Sequence, residues 1–364
     1  MEIQKERHGE GNLHRLNVLD IAKGLCMISV IFAHVNLTPI FLIPIYSFHM
    51  PLFFILAGMV YDPRKYPRLR DQIQRRWHTL IKPYLFFSVT AVVYVFVAEK
   101  LSVHAEDLKL REYVSAFIQI VIAQGSKPVL NTPLWFVPCL FAIEIMYFFL
   151  AKLKTASCAM VCFALACVGW LLQSGMLPFD NSKLPWTFDS ALFALSFYAA
   201  GNRMFPYIRR KIEQIQQHPK RSRICLEMLF VCMLIWLPLA KINGKVSLGS
   251  QILNNGFLFF LTGMLGTFAV LLISIMLENN RFLLWMGKNT FCLMSVHYML
   301  RRYTLPKYYR MLGIPLYKRK VFKETIIPFL IIFLVSILLT VMYNISKKML
   351  AQYKEKKRRS EQKI

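Results

Sequence analysis

Residues 17–35 read Asn17-Val-Leu-Asp20-Ile-Ala-Lys23-Gly-Leu-Cys-Met-Ile-Ser-Val-Ile-Phe-Ala-His34-Val35 and decide the class of the protein. A stretch of about 20 mainly apolar residues is the length that an α-helix needs to cross a bilayer. The stretch nevertheless carries three ionisable side chains, on Asp20, Lys23 and His34. Ionisable residues inside membrane helices are costly, and they mark functional positions. The segment therefore predicts a membrane helix that carries a polar site.

The spacing of Lys23 and His34 places them on one stripe of that helix. Eleven helical positions rotate the chain by about 1100° and advance it by about 16 Å, so both side chains leave the same face. Asp20 and Lys23 have an alternative explanation, because an interfacial lysine can extend its long side chain to lipid phosphate. His34 lies near the far end of the apolar run without a charged neighbour, which favours a functional role.

Composition extends this interpretation to the whole chain. The 364 residues are 56% hydrophobic, with a mean hydropathy of +0.43, which is too apolar for an ordinary soluble domain. We predict an all-α, polytopic membrane protein with about ten transmembrane helices. The spans are expected near residues 18–37, 41–61, 80–98, 133–151, 156–173, 188–201, 224–240, 252–277, 283–300 and 325–346.

The charge distribution sets the predicted orientation. The net charge of +26 would suit a nucleic-acid-binding protein, but 29 of the Lys and Arg residues fall on the side of the two termini and 15 on the other. Cytoplasmic loops are enriched in these residues, so both termini are predicted to be cytoplasmic, and no nucleic-acid partner is expected. The loop 301–323 is an exception with eight positive charges. Either a span is misplaced there, or the loop contacts an anionic glycan.

We expect three segments: a cytoplasmic N-terminal segment at 1–17, a membrane domain at 18–346 and a basic cytoplasmic tail at 347–364. All eight cysteines lie in apolar stretches without the spacing of metal ligands. They are expected to pack between helices, and neither a metal site nor a disulfide framework is predicted.

Further polar residues interrupt the other apolar segments. His49 lies beside Pro51 in the second span, and Arg75, Arg76 and Lys82 form a basic run before the third. Arginine clusters bind phosphates, although cytoplasmic topology alone also explains such a run. Carboxylates and a second polar stretch occur deeper in the sequence, at Glu144, Asp189, Asn289 and His297. A buried carboxylate must pair or be protonated, so these positions are also candidates for a site.

A lysine or arginine followed, after ten intervening residues, by a histidine on the first helix resembles the hallmark of the acyltransferase 3 family of membrane O-acyltransferases. Lys23 and His34 occupy those positions. Further stretches resemble the fucose 4-O-acetylase-like branch of sugar acetyltransferases. These stretches are residues 47–58, 75–84, 186–201 and 287–297, together with Trp135-Phe136 and Glu144. The resemblance covers essentially the whole chain.

The resemblance implies transfer of an acetyl group from cytoplasmic acetyl-CoA to a hydroxyl of a cell-surface or lipid-linked polysaccharide sugar, in the bacterial cytoplasmic membrane. We hypothesise that Arg75, Arg76 and Lys82 hold the CoA phosphates and that Lys23 helps to seat the donor. His34 then acts as general base, or alternatively as a covalent acyl carrier. Candidates to orient His34 or to hold the acceptor are Asp20, His49, Trp135, Glu144, Asp189, Asn289 and His297.

Two other functions remain possible at this point. Intramembrane charges and proline-broken helices are also typical of a transporter or flippase for a glycan precursor. That class predicts an internal repeat, and the sequence contains none that we can detect. A non-catalytic subunit of a polysaccharide system would explain the basic loop 301–323, but it would not explain Lys23 and His34 on one helical face.

Overall fold

The computed structural model describes residues 17–35, 37–100, 110–123, 131–174, 184–311 and 322–361. These residues are almost entirely helical, and no β-strand occurs among them. The helices are α1 (Asn17–Ala33), α2 (Pro39–Met59), α3 (Leu69–Arg76), α4 (Lys82–Lys100), α5 (Leu110–Ile122), α6 (Phe136–Leu150), α7 (Thr155–Gln173), α8 (Phe188–Gln217), α9 (Arg221–Asn243), α10 (Gly256–Met276), α11 (Arg281–Lys288), α12 (Thr290–Met311) and α13 (Phe322–Glu361). The predicted all-α polytopic membrane fold is confirmed.

Within the described part of the chain, seven helical segments are long and apolar enough to cross a membrane. They are Pro39–Met59, Leu69–Val97, Thr132–Leu150, Thr155–Gln173, Arg221–Asn243, Gly256–Met276 and Thr325–Glu361. The three remaining predicted spans coincide with helices that fall short of that standard. Helix α1 has only 17 residues, and α8 carries Asp189, Asn202 and Arg203 along its apolar part. The predicted span 283–300 is broken at Asn289, between α11 and α12.

Helix α1 lies inside the bundle. It packs against α2, α10, α11 and α12, and 11 of its residues are buried. Its approach to α11 depends on glycine, because a Cβ on Gly287 would lie 1.7 Å from the Asp20 carbonyl oxygen. The central position of α1 surrounds most of the stripe that carries Lys23 and His34 with protein.

Helices α2 and α8 cross at a second glycine contact. A Cβ on Gly58 would lie 2.0 Å from the Tyr198 carbonyl oxygen, and one on Gly201 would lie 2.1 Å from that of Ile55. Small residues let membrane helices approach closely enough for backbone contact, which is the main source of their association in lipid. Gly58 and Gly201 therefore allow α2 and α8 to pack closely.

A π-helical turn, Trp77–Ile81, joins α3 to α4 and changes the direction in which the following side chains project. Beside α4, the 13-residue helix α5 is too short to span a membrane. Helix α13 continues through most of the predicted tail 347–364 to Glu361. Residues 312–321 of the basic loop 301–323 lie outside the described residues, and residues 301–311 of that loop continue α12. The predicted segment 1–17 also lies outside the described residues, apart from Asn17.

Candidate active site

A cavity of about 110 Å³ lies at the C-terminal end of α1, where His34 follows the last helical residue. Its walls come from α1, α2, the turn before α6, the loop between α9 and α10, α10 itself and α12. The lining residues are Met27, Val30, His34, Tyr46, His49, Met50, Phe53, Thr132, Pro133, Trp135, Ser247, Leu248, Gly249, Ser250, Phe259 and Met294. His34 therefore faces a cavity lined by protein, and three predicted residues, His34, His49 and Trp135, share it.

Hydrogen bonds orient the imidazole of His34. Its Nδ1 lies 2.7 Å from the Val30 carbonyl oxygen. A carbonyl oxygen can only accept, so Nδ1 carries the hydrogen and, in the neutral ring, Nε2 carries the lone pair. His49 makes the same contact with Ile45, at 2.8 Å. Both rings are therefore held with the basic nitrogen directed away from their own helices.

His297 stands directly beside His34. The two ring centroids are 5.0 Å apart and the planes meet at 65°. Its Nδ1 lies 3.0 Å from the Leu293 carbonyl oxygen, which fixes the same tautomer, and its buried Nε2 has no hydrogen-bond partner among the described residues. The structure thus brings His297 together with His34, and the contact is between rings.

The loop 244–255, between α9 and α10, covers one side of the cavity. The Gln251 amide donates to Asp189 Oδ2 at 2.7 Å, and the Ser190 hydroxyl donates to the Leu248 carbonyl at 3.0 Å. A Cβ on Gly249 would lie 2.6 Å from Trp135 Nε1, so only glycine fits over the indole. Asp189 therefore reaches the cavity indirectly, by holding the loop that covers it.

Backbone strain is concentrated around this loop. Trp186 and Thr187 have φ values of 58° and 50°, and Gln251 has 58°. The left-handed region is unfavourable for non-glycine residues, above all for a β-branched one, and such strain clusters at functional sites. The Thr187 hydroxyl donates to the carbonyl oxygen of Trp135 at 3.4 Å, which links this strained turn to the cavity wall.

Lys23 lies deeper along the same stripe of α1. Its Nζ is 3.4 Å from Asp20 Oδ1, and that carboxylate is almost fully buried. Met27, on the cavity wall, is one helical turn from Lys23 on the side of His34. The cavity therefore extends along α1 to within one turn of the Asp20–Lys23 ion pair.

The predicted phosphate-binding residues form a separate cluster at the other end of the bundle. Arg76 makes an ion pair with Glu144, whose Oε1 also accepts from the Tyr198 hydroxyl at 3.5 Å. Arg75 and Arg76 both place their guanidinium carbon within 6 Å of the Tyr66 ring, at 5.9 and 5.7 Å. Arg75 and Lys82 are exposed, whereas Arg76 is largely covered.

Two of the predicted residues thus have contacts remote from His34. Glu144 pairs with Arg76, and Asn289 joins helices, since its amide donates to the Trp285 carbonyl at 2.8 Å and its Oδ1 accepts from Asn344 at 2.7 Å. Sequence reasoning also missed residues of the cavity. Tyr46 and the loop residues 247–250 line it, and the only sequence signal was the turn-forming content of 244–255, rich in Gly and Asn.

The comparison with known families decides the class. A family model described as an acyltransferase domain, that of the acyltransferase 3 family, matches residues 16–345 of the 364-residue chain. The chain belongs to the acyltransferase 3 family. It is a membrane acyltransferase, and its apolar helices indicate a multi-pass protein. No curated protein matches the sequence. The narrower resemblance to fucose 4-O-acetylase-like enzymes remains a prediction.

Proposed function

We propose that this acyltransferase moves an acetyl group from cytoplasmic acetyl-CoA to a sugar hydroxyl of a cell-surface or lipid-linked polysaccharide, in the bacterial cytoplasmic membrane. One observation carries the proposal. His34 lines a cavity within the helical bundle with its Nδ1 bonded to the Val30 carbonyl, which leaves Nε2 as the basic nitrogen. A base in that position can take a proton from an alcohol.

The reaction at His34 is a single acyl transfer. Nε2 accepts the proton of the acceptor hydroxyl while that oxygen attacks the thioester carbonyl carbon. The carbon–sulfur bond then breaks, and the proton passes from the imidazolium to the departing thiolate. The products are the O-acetyl ester and CoA in its thiol form. Histidine suits both steps because its ordinary pKa lies near neutrality.

In this proposal the acceptor sugar binds on the side of the cavity that the loop 244–255 covers. Trp135 offers a flat apolar face at the cavity wall, and Ser247 and Ser250 offer hydroxyl groups beside it. Sugars present both apolar C–H faces and hydroxyls, so a wall of this composition suits them. His49 and Tyr46 complete the polar part of the lining, and Asp189 keeps the loop in position through Gln251.

In this proposal the donor binds with its phosphates at the opposite end of the bundle from the His34 cavity. The exposed side chains of Arg75 and Lys82 contact the phosphates, because both cations face solvent beside the π-helical turn. The charge of Arg76 is engaged by Glu144, so in this proposal Arg76 holds α3 against α6 and borders the phosphate site. Lys23 lies between the two ends, where it can contact the pantetheine arm.

The test is a comparison of glycan acetylation in cells that express the wild-type protein or His34→Ala. His218→Ala is the matched control, because His218 is exposed at the junction of α8 and α9. Mass spectrometry of the surface glycans should show acetyl groups with the wild type and the control, and none with His34→Ala. Acetylation by His34→Ala at normal protein abundance would refute the proposal.

A further inference from the structure

A second and larger cavity lies on the flank of the bundle. It has a volume of about 720 Å³ and runs between α7 and α10, with α8 as its floor. Small residues on α8, namely Ser196, Ala199 and Ala200, fill little of the space above the floor and so leave room for the cavity. Volumes of this size are typical of ligand sites. We call this cavity the flank groove.

The flank groove opens sideways at the depth of the membrane. Phe163 on α7 and Phe257 on α10 line its two walls, and their side chains are 70% and 73% exposed. Both helices belong to segments that are apolar enough to cross a bilayer, so their exposed faces meet hydrocarbon. A ligand of the groove therefore reaches it from the bilayer, and its bound part is apolar.

The length of the groove distinguishes between lipids. Its lining on α7 runs from Thr155 to Trp170, which is a distance of about 22 Å along a helix. One leaflet contributes only half of the hydrocarbon core of about 30 Å. An ordinary phospholipid chain, confined to one leaflet, would fill part of the groove. A chain that is longer than one leaflet would fill it completely.

One end of the groove adjoins the His34 cavity. Phe193 lines the groove and Phe259 lines the cavity, and these two rings are stacked with centroids 5.7 Å apart and planes at 15°. This stacked pair of rings thus lies between the flank groove and the His34 cavity. A molecule whose tail fills the groove and whose polar group lies at this end would hold that group beside the loop 244–255.

We propose that the flank groove binds the hydrocarbon tail of a lipid-linked acceptor, a polyisoprenoid chain longer than one leaflet, and so presents the attached sugar to the His34 cavity. The proposal rests on the proposed acetyl transfer to a sugar, whose acceptor it narrows to the lipid-linked form. Its structural basis is the lateral opening, the length of the groove and the contact between Phe193 and Phe259.

The experiment uses the full-length protein in nanodiscs and a photoreactive long-chain polyprenyl phosphate. Ala159→Trp and Ala166→Trp each place an indole in the groove, whereas Ala164→Trp places one on the same helix at an exposed position outside it. If the added indole displaces about two methylene groups of the polyprenyl chain from the groove, the affinity for that chain falls by about tenfold. We therefore expect about tenfold less cross-linking in Ala159→Trp and Ala166→Trp. The control should label like the wild type, with cross-links on α7, α8 and α10.

Cross-linking also separates this proposal from the transfer reaction. His34→Ala should label normally, because His34 does not line the groove. If cells that express the wild-type protein show no glycan acetylation while the wild-type protein is still labelled, the transfer proposal fails and the groove remains a polyisoprenoid site. The labelling is also measured in the presence of an excess of phosphatidylglycerol or of unlabelled polyprenyl phosphate. If phosphatidylglycerol abolishes the labelling as effectively as unlabelled polyprenyl phosphate does, the groove is a site for ordinary bilayer lipid and the proposal is overturned. Equal losses in Ala159→Trp and Ala164→Trp would also overturn it.

Discussion

The ion pair between Arg76 and Glu144 allows a quantitative test of how α3 is held. The Glu144 side chain is 3% exposed and that of Arg76 is 20% exposed. Removing one partner of a buried pair costs about 3–5 kcal/mol, because the other charge stays buried without compensation. Partial access of water to Arg76 moves the expected cost of Glu144→Leu to the lower end, about 3 kcal/mol. Arg76→Met should cost more, since the carboxylate that it leaves is better covered.

The double variant Arg76→Met/Glu144→Leu should recover most of this loss. Replacing a buried ion pair by apolar residues of similar size is often neutral or stabilising. Unfolding in mixed micelles, followed by tryptophan fluorescence as denaturing detergent is added, measures all four proteins. We expect the double variant within about 1 kcal/mol of the wild type, against about 3 kcal/mol or more for each single variant. Single variants that cost under about 1 kcal/mol, or a double loss equal to their sum, would refute the reasoning.

The same double variant separates stability from donor binding. Because it is expected to fold, its KM for acetyl-CoA, the proposed donor, reports what Arg76 contributes to the proposed phosphate site. We expect that KM to stay near the wild-type value, whereas Arg75→Ala should raise it by about tenfold, the equivalent of one charge-assisted hydrogen bond. A large rise in the double variant alone would assign the phosphate contact to Arg76.

Three further predictions concern α1 and the loop over the cavity. Gly287→Ala should lower stability by about 1–3 kcal/mol in the same unfolding assay, because its Cβ would collide with the Asp20 carbonyl oxygen; an unchanged midpoint would contradict this packing. Asp189→Ala should lower kcat/KM for the acceptor by about tenfold through loss of the Gln251 bond, while KM for acetyl-CoA is unchanged; an equal effect on both substrates would argue against a role for the loop in acceptor binding. Lys23→Arg should keep most of the acetyl-transfer rate and Lys23→Ala should lose it, and equal tolerance of both would leave Lys23 as an interfacial residue.

The sequence predicted the helical membrane fold and the stripe on α1 because both depend on local periodicity. Eleven positions on a helix fix the relative direction of Lys23 and His34 whatever surrounds them. The hydropathy of seven segments likewise needed no tertiary information.

The partners of the polar residues could not be predicted in the same way. Glu144 was considered with His34, but it pairs with Arg76, which is far away in sequence. That contact depends on how the π-helical turn directs α3 toward α6. The covering of the cavity by loop 244–255 depends on left-handed residues such as Gln251, which no periodic pattern reveals. Long-range contacts of this kind follow from the packing of whole helices.

The most direct test of the account is the single-turnover rate of acetyl transfer by purified His34→Ala, with His218→Ala as control, when acetyl-CoA and acceptor are both saturating. Loss of a general base lowers the rate by about 10²–10⁴-fold, and we predict a fall in that range with the control unchanged. A rate for His34→Ala within about tenfold of the wild type would contradict the account, because proton transfer would then occur without the His34 Nε2.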